Sequence, residues 1–280
     1  MTVVVGVHGI WQQQRGRQQL LAEWGTALGD GLERAGRRAA SVALDIAFYG
    51  HLFLPDLQGK SAVDDIDLLG EVMPEELADL TDAVLEIDPG ADLDDEYTKG
   101  APAIPLPVQR LVRYVDRRFN LPVGALMLGE LRQVRRYLCD PQLKAAVDRV
   151  VAEIVSGDTR VVVGHSLGTV VVLEYMRQHP GMVFDLLLTL GSPLGLRMIR
   201  RYLPDPTFGV AGGKPATVGR WVNVYDPHDA VAAAGGLKQV WSAVEDRIVD
   251  NQVDAHNVQR YLSKRVTGDA IAAVLPGTGR

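Results

Sequence analysis

The sequence predicts an α/β chain built on a mostly parallel central sheet with helices on both faces, and three observations carry that prediction. Short apolar runs recur along the chain and alternate with segments of helical period. One run ends in a glycine-flanked turn, Gly164-His165-Ser166-Leu167-Gly168, that leads directly into a helical segment. Between residues 50 and 140 the rhythm breaks, far beyond the roughly two to six residues of an ordinary α/β connection. The expected organisation is a core of residues 1–49 and 141–280, interrupted by an insertion at 50–140 with structure of its own.

Taken in order, Thr2–Val7 is a continuous apolar run ending in His8-Gly9, as a buried parallel strand would be. A helix is expected from Gln18 to Arg37, with Leu20, Leu21, Trp24, Leu28 and Leu32 on one face, although Gly25, Gly29 and Gly31 weaken it. Ser41–Tyr49 reads as the second strand. Pro141 suits the first position of a helix running to Val155, before the strand Thr159–Val163. A helix from Leu167 to Gln178 and a strand from Phe184 to Leu190 follow. Trp221–Tyr225 and Arg247–Val249 read as further strands, and His256–Arg265 as the start of a final helix.

The insertion is sharply divided in charge. From Asp64 to Glu96 there are 14 acidic residues and no Lys or Arg. Pro74-Glu75-Glu76 opens a helix whose Leu77, Leu80, Val84 and Ile87 form an apolar stripe, with carboxylates on its favourable first turn. The sign then reverses. Arg110, Arg113, Arg117 and Arg118 share a helix with Val108, Leu111, Val112, Val115 and Phe119, and Arg132, Arg135 and Arg136 share another with Leu128, Leu131, Val134 and Leu138. Solvated faces of amphipathic helices explain this pattern; so does a cap whose acidic and basic elements face each other over a site.

Composition narrows the functional classes. A chain of 280 residues can bury about 75% of the surface that its unfolded form exposes. The net charge of −6 argues against a general nucleic-acid binder. The sequence has no apolar run near the ~18 residues that cross a bilayer, so no transmembrane segment is expected. The N-terminus lacks a basic n-region and reads as a strand, which makes the cytoplasm the simplest location. A single cysteine, Cys139, excludes an intramolecular disulfide and offers no metal cluster. Neither a G-x-G-x-x-G nor a Walker pattern is present, and no cofactor or metal is expected.

The turn at Ser166 carries the chemistry. A serine hydroxyl is a poor nucleophile unless it is held clear of the backbone beside a base, with N–H groups ready for the developing oxyanion. A G-x-S-x-G turn between a strand and a helix gives that exposure, and its glycines let the two elements approach closely. With Val7-His8-Gly9-Ile10 early in the chain, the turn in the middle, and Asp229 then His256 after it, the sequence resembles the α/β-hydrolase superfamily, nearest in motif style to its lipases and esterases. The resemblance covers the core strands and helices, not residues 50–140 or about 193–219. It implies an α/β-hydrolase fold with a helical cap or lid at 50–140.

It also implies roles. Ser166 would be the nucleophile and His256, after the last strand, the base. The other histidines are placed less well: His8 in the oxyanion loop, His51 at the insertion, His165 beside the nucleophile, His179 at a helix end and His228 in the acid-bearing turn. The acid would come from Asp226-Pro227-His228-Asp229-Ala230-Val231, where Asp226 and Asp229 both qualify. Asp-Pro commonly starts a turn, so Asp226 fits a loop-shaping role, and Asp229 resembles the D-x-V acid of many lipases. The oxyanion hole is expected from the backbone N–H groups of Leu167 and Ile10, with Trp11 as the alternative to Ile10. Ser192, in Gly191-Ser192-Pro193, has no paired base suggested beside it.

The expected activity is a serine hydrolase acting on a carboxylic ester or thioester through an acyl-enzyme. Its partner would be a small-molecule acyl substrate, hydrophobic if the Leu, Val and Met of the insertion line its pocket. An acyltransferase or macrocyclising thioesterase would use the same residues under a closed cap. A non-catalytic binding protein on the same fold is the third reading, disfavoured by the complete Ser, Asp and His order.

Overall fold

The computed structural model describes residues 2–10, 12–38, 42–53, 72–93, 104–205 and 213–275. Its strands are β1 (Thr2–Val7), β2 (Val42–Ala47), β3 (Thr159–His165), β4 (Phe184–Leu190), β5 (Val218–Tyr225) and β6 (Glu245–Ile248). They pair in parallel throughout, in the order β2-β1-β3-β4-β5-β6. The helices are α1 (Arg17–Arg34), α2 (Pro74–Ile87), α3 (Leu106–Phe119), α4 (Gly124–Cys139), α5 (Pro141–Ile154), α6 (Leu167–Gln178), α7 (Arg197–Arg200), α8 (Val258–Leu262) and α9 (Arg265–Ala272). Among the described residues no helix is long and apolar enough to cross a membrane.

The inner strands β1, β3 and β4 are largely apolar on both faces because both are covered, as a parallel sheet requires, whereas the edge strand β6 is charged and part-exposed. Alternation along the strands sorts residues into two cores. Val4, Val161, Val163, Leu186, Leu188, Val222 and Val224 pack with Leu20, Trp24 and Leu28 of α1 and with Tyr261, Leu262 and Ile271 of α8 and α9. Val5, Val7, Val162, Leu187 and Trp221 point the other way, into a cluster with α2 to α6. The apolar faces of α2, α3 and α4 (Leu80, Val84, Leu111, Val115, Met127, Leu131) merge there with Val170 and Leu173 of α6. The described helices between β2 and α5 therefore share the buried core of the sheet.

Helix α1 ends three residues before Arg37. Gly36 is left-handed at φ 75°, its N–H reaches Glu33 O at 2.9 Å, and the Arg37 N–H reaches Leu32 O at 2.8 Å, a glycine-terminated stop. Of the glycines that weaken α1 as a sequence, Gly31 has a packing reason. A Cβ on Gly31 would strike the Leu262 carbonyl, and one on Gly268 would strike the Gly31 carbonyl, so α1 lies directly on α8 and α9. The final helix is broken in two: Lys264 is extended at φ −69°, ψ 142°, and α9 starts after it.

Helices α2 and α4 carry the opposed charges into contact. Glu76 accepts from Arg132 at 2.8 Å and Asp79 from Arg135 at 2.7 Å. Asp79 also pairs with Arg201 and accepts from the Tyr202 hydroxyl. Glu86 accepts from the Arg197 N–H at 2.8 Å. Residues 54–71 and 94–103, which hold much of the acidic run, lie outside the described residues.

Candidate active site

Register assembles the site at the carboxyl ends of the strands, where open α/β sheets collect their loops. Val7 lies opposite Gly164, and His165 opposite Leu190, so the loops after β1, β3 and β4 emerge together. The turn after β3 is sharp enough to force Ser166 to φ 57°, ψ −126°, a conformation that side chains rarely adopt. It is pinned by the Ser166 N–H to Leu190 O at 3.1 Å, and by the Thr169 N–H and hydroxyl to Ser166 O at 3.0 and 2.7 Å. The two motif glycines are where the backbones touch: a Cβ on Gly164 would meet Thr169 at 2.8 Å, and one on Gly168 would strike the Val7 carbonyl.

Ser166 Oγ lies 2.9 Å from His256 Nε2, and His256 Nδ1 lies 2.8 and 2.9 Å from the two carboxylate oxygens of Asp229. Asp229 is fully buried and further accepts from the Tyr261 hydroxyl at 2.8 Å and the Val231 N–H at 3.0 Å. Burial opposes its charge, but His256 and these donors hold its carboxyl below the ordinary value. Burial likewise opposes a proton on His256, yet Asp229 outweighs it and raises the imidazole above its usual 6.5. His256 stands just before Asn257, whose side chain caps α8 by accepting the Arg260 N–H at 3.1 Å, so it belongs to a fixed loop rather than a helix.

Asp226 does different work. It accepts from the His228 N–H at 2.8 Å and from the Asn251 N–H, and its own N–H donates to Tyr261 Oη at 3.0 Å. It ties its own loop to the Asn251 loop and to helix α8, and makes no hydrogen bond to His256. His228 is exposed beside it, and Ser192 accepts the Leu194 N–H at 3.2 Å and shares a hydrogen bond of 2.8 Å with Thr169.

His8 and His165 serve as neutral props. His8 Nδ1 reaches Gly9 O at 2.6 Å, its Nε2 accepts the Tyr49 N–H at 3.1 Å, and burial lowers its pKa to about 4. His165 Nε2 reaches the His256 carbonyl at 2.9 Å, and burial, with His256 beside it, lowers its pKa to about 3. Both stay uncharged at neutral pH, so each can fix a loop without placing a cation at the serine.

The two expected oxyanion donors fare differently. Ile10 is buried at the start of the loop, and its carbonyl accepts from Gln12 Nε2 at 3.1 Å; Trp11 lies outside the described residues. The Leu167 N–H is already engaged: it donates to Glu130 Oε1 of α4 at 2.7 Å. Glu130 and Tyr261 are the site residues that sequence reasoning missed; it places His165 beside the nucleophile, but does not give its hydrogen bond to the His256 carbonyl. For Glu130 one signal exists, since it is the only acid from Arg117 to Cys139.

Among the described residues, no group of three or more His, Cys, Asp or Glu side chains could hold a metal ion. The arrangement can take a proton from a serine hydroxyl, and it has a backbone N–H beside that hydroxyl. Compared with known protein families, curated proteins and solved structures, the chain matches none.

Proposed function

We propose that the protein is a serine hydrolase of the α/β-hydrolase type, cleaving a carboxylic ester or thioester through an acyl-enzyme. One observation carries this reading: an unbroken hydrogen-bonded line from Ser166 Oγ through His256 to Asp229, with the serine held on a left-handed turn. In the proposed reaction His256 Nε2 takes the Ser166 proton as Oγ attacks the acyl carbon. Asp229 fixes the tautomer and stabilises the imidazolium. The backbone N–H groups of Leu167 and Ile10 receive the oxyanion. His256 then gives its proton to the leaving alcohol or thiol, and the same residues admit water to release the acid.

In this reading helices α2 to α4 form a cap, and the apolar character of their inward faces favours a hydrophobic acyl group. A second reading, acyl transfer to an alcohol or amine, is favoured by the burial of Ser166, which is 1% exposed. The test is a fluorophosphonate probe followed by mass mapping, then nitrophenyl esters and acyl thioesters of increasing chain length with and without added alcohol. A covalent label on Ser166 and release of free acid are expected. Ester product in the presence of alcohol would move the assignment to acyl transfer, and absence of label in both the folded wild type and a folded Glu130→Ala variant would remove the hydrolase reading.

A further inference from the structure

An oxyanion hole works only if its donors are free when the substrate carbonyl arrives. Here the Leu167 N–H is not. Glu130 Oε1 accepts it at 2.7 Å, and Glu130 is fully buried. A carboxylate oxygen at that distance from the N–H stands where an acyl oxygen would have to sit. Ser166 itself is 1% exposed, so the occupied state is also a covered one.

The inner face of α4 is packed through Met127, Leu128, Leu131 and Val134, but the polar groups on it are poorly satisfied. Glu130 Oε2 has no hydrogen-bond partner, and one turn further Gln133, 4% exposed, has none for either its amide oxygen or its nitrogen. Buried polar atoms of this kind are costly, and withdrawing α4 would hydrate all three. Burial also pushes the Glu130 carboxyl up, against the downward pull of His256, the Ser166 hydroxyl and the Leu167 N–H. By contrast the outer side of α4 is well tied, through Arg132 to Glu76 and Arg135 to Asp79, so α2 and α4 are fastened to each other. The chain between α4 and α5 is the single extended residue Asp140, and Tyr137 at the end of α4 donates to Asp148 of α5 at 2.6 Å, so a movement of α4 would turn about this tied end.

Resting on the hydrolase reading, we propose that Glu130 is an internal plug of the oxyanion hole, and that the chain rests in a self-inhibited state released when α4 moves away from Leu167. Recognition of a cationic substrate group by the same carboxylate is the competing idea. It is less favoured because the carboxylate occupies the very N–H that the reaction needs.

The test is the second-order rate of fluorophosphonate labelling at Ser166 in the wild type, Glu130→Ala and Glu130→Gln, with hydrogen exchange of residues 124–139 before and after labelling. Glu130→Ala should label at least about tenfold faster, which corresponds to a wild type closed more than about 90% of the time. Glu130→Gln keeps an acceptor oxygen without the charge and should fall between. In the wild type the phosphonyl oxygen of the adduct should take the Leu167 N–H and displace Glu130, so residues 124–139 should exchange faster once labelled. Labelling of Ser166 at the wild-type rate or slower in Glu130→Ala overturns the plug and leaves the hydrolase reading standing. If that variant does not fold, unchanged or slower exchange in the labelled wild type overturns it instead. Absence of label at Ser166 in every folded protein removes the hydrolase reading, and the plug with it.

Discussion

The loop after β5 and the helix α4 each bring a buried carboxylate to the surroundings of Ser166, and they hold it in opposite ways. Asp229 is met by His256, Tyr261 and the Val231 N–H, so its charge is shared among donors from two loops and helix α8. Glu130 accepts from the Leu167 N–H beside the Ser166 hydroxyl, and its second oxygen is orphaned. The core loops therefore read as a frame in which Ser166, His256 and Asp229 each have a hydrogen-bond partner. The inner face of α4 reads as a surface that closes on that frame without completing it. Two carboxylates can be equally buried and still differ in permanence, because permanence follows from how many donors each one has.

The comparison breaks most decisively at the serine. On the proposed mechanism, Ser166→Ala should keep the fold and lower kcat by up to about 10⁶. Substantial turnover in a clean preparation would show that the frame around Asp229 serves something other than this reaction. Asp229→Asn should follow, with a loss of about 10⁴ through the wrong His256 tautomer. Asp226→Asn should instead cost about 1–3 kcal/mol of stability, by weakening a buried acceptor, with turnover largely kept. Paired denaturation and kinetic measurements separate these, and exchanged severities would reassign the acid.

A smaller effect is expected from pH. Only neutral His256 can accept the serine proton, and its pKa is raised, so activity should be low in acid and climb as pH passes a midpoint above 6.5. Below that midpoint kcat/KM for a small ester should change about tenfold per pH unit, and a flat profile from about pH 5 to 8 with chemistry limiting would exclude His256. The smallest effect concerns the other region. Raising salt from 0.1 to 1 M shortens the Debye length from about 10 to about 3 Å, which should loosen the α2 pairs at their exposed Arg197 and Arg201 ends. Hydrogen exchange over Pro74–Ile87 should quicken severalfold while Thr159–His165 stays unchanged. Equal protection at both salt concentrations would mean that apolar packing alone seats these helices.

Sequence reasoning reached the frame more readily than the helix that closes on it. Ser166, Asp229 and His256 each follow a strand, and strands announce themselves through apolar runs with glycine or aspartate at their ends. Pro74 and Pro141 likewise mark the starts of α2 and α5, where the structure has them. Glu130 escaped because its neighbours mislead: Arg132, Arg135 and Arg136 make α4 look solvated on the side where it is in fact paired, and only the docking of α4 on α6 decides which way an acid points. The hydrogen bonds of Tyr261 and His165 escaped because they span 32 and 91 residues of sequence. The glycines of α1 misled in the other direction. Local propensity counts Gly31 as a flaw, whereas contact with Leu262 and Gly268 makes it a requirement.

The left-handed turn at Ser166 has one more consequence, for how such a chain can change. Holding a serine at φ 57°, ψ −126° costs on the order of 1–3 kcal/mol, from a total stability of about 5–15 kcal/mol for a typical domain. Glycine would adopt the same backbone with little strain. A library of variants sorted only for thermal resistance should therefore enrich glycine at 166, and the nucleophile would be the first thing lost. Breeding this protein for robustness without also assaying its chemistry would select against the residue on which the proposed chemistry depends.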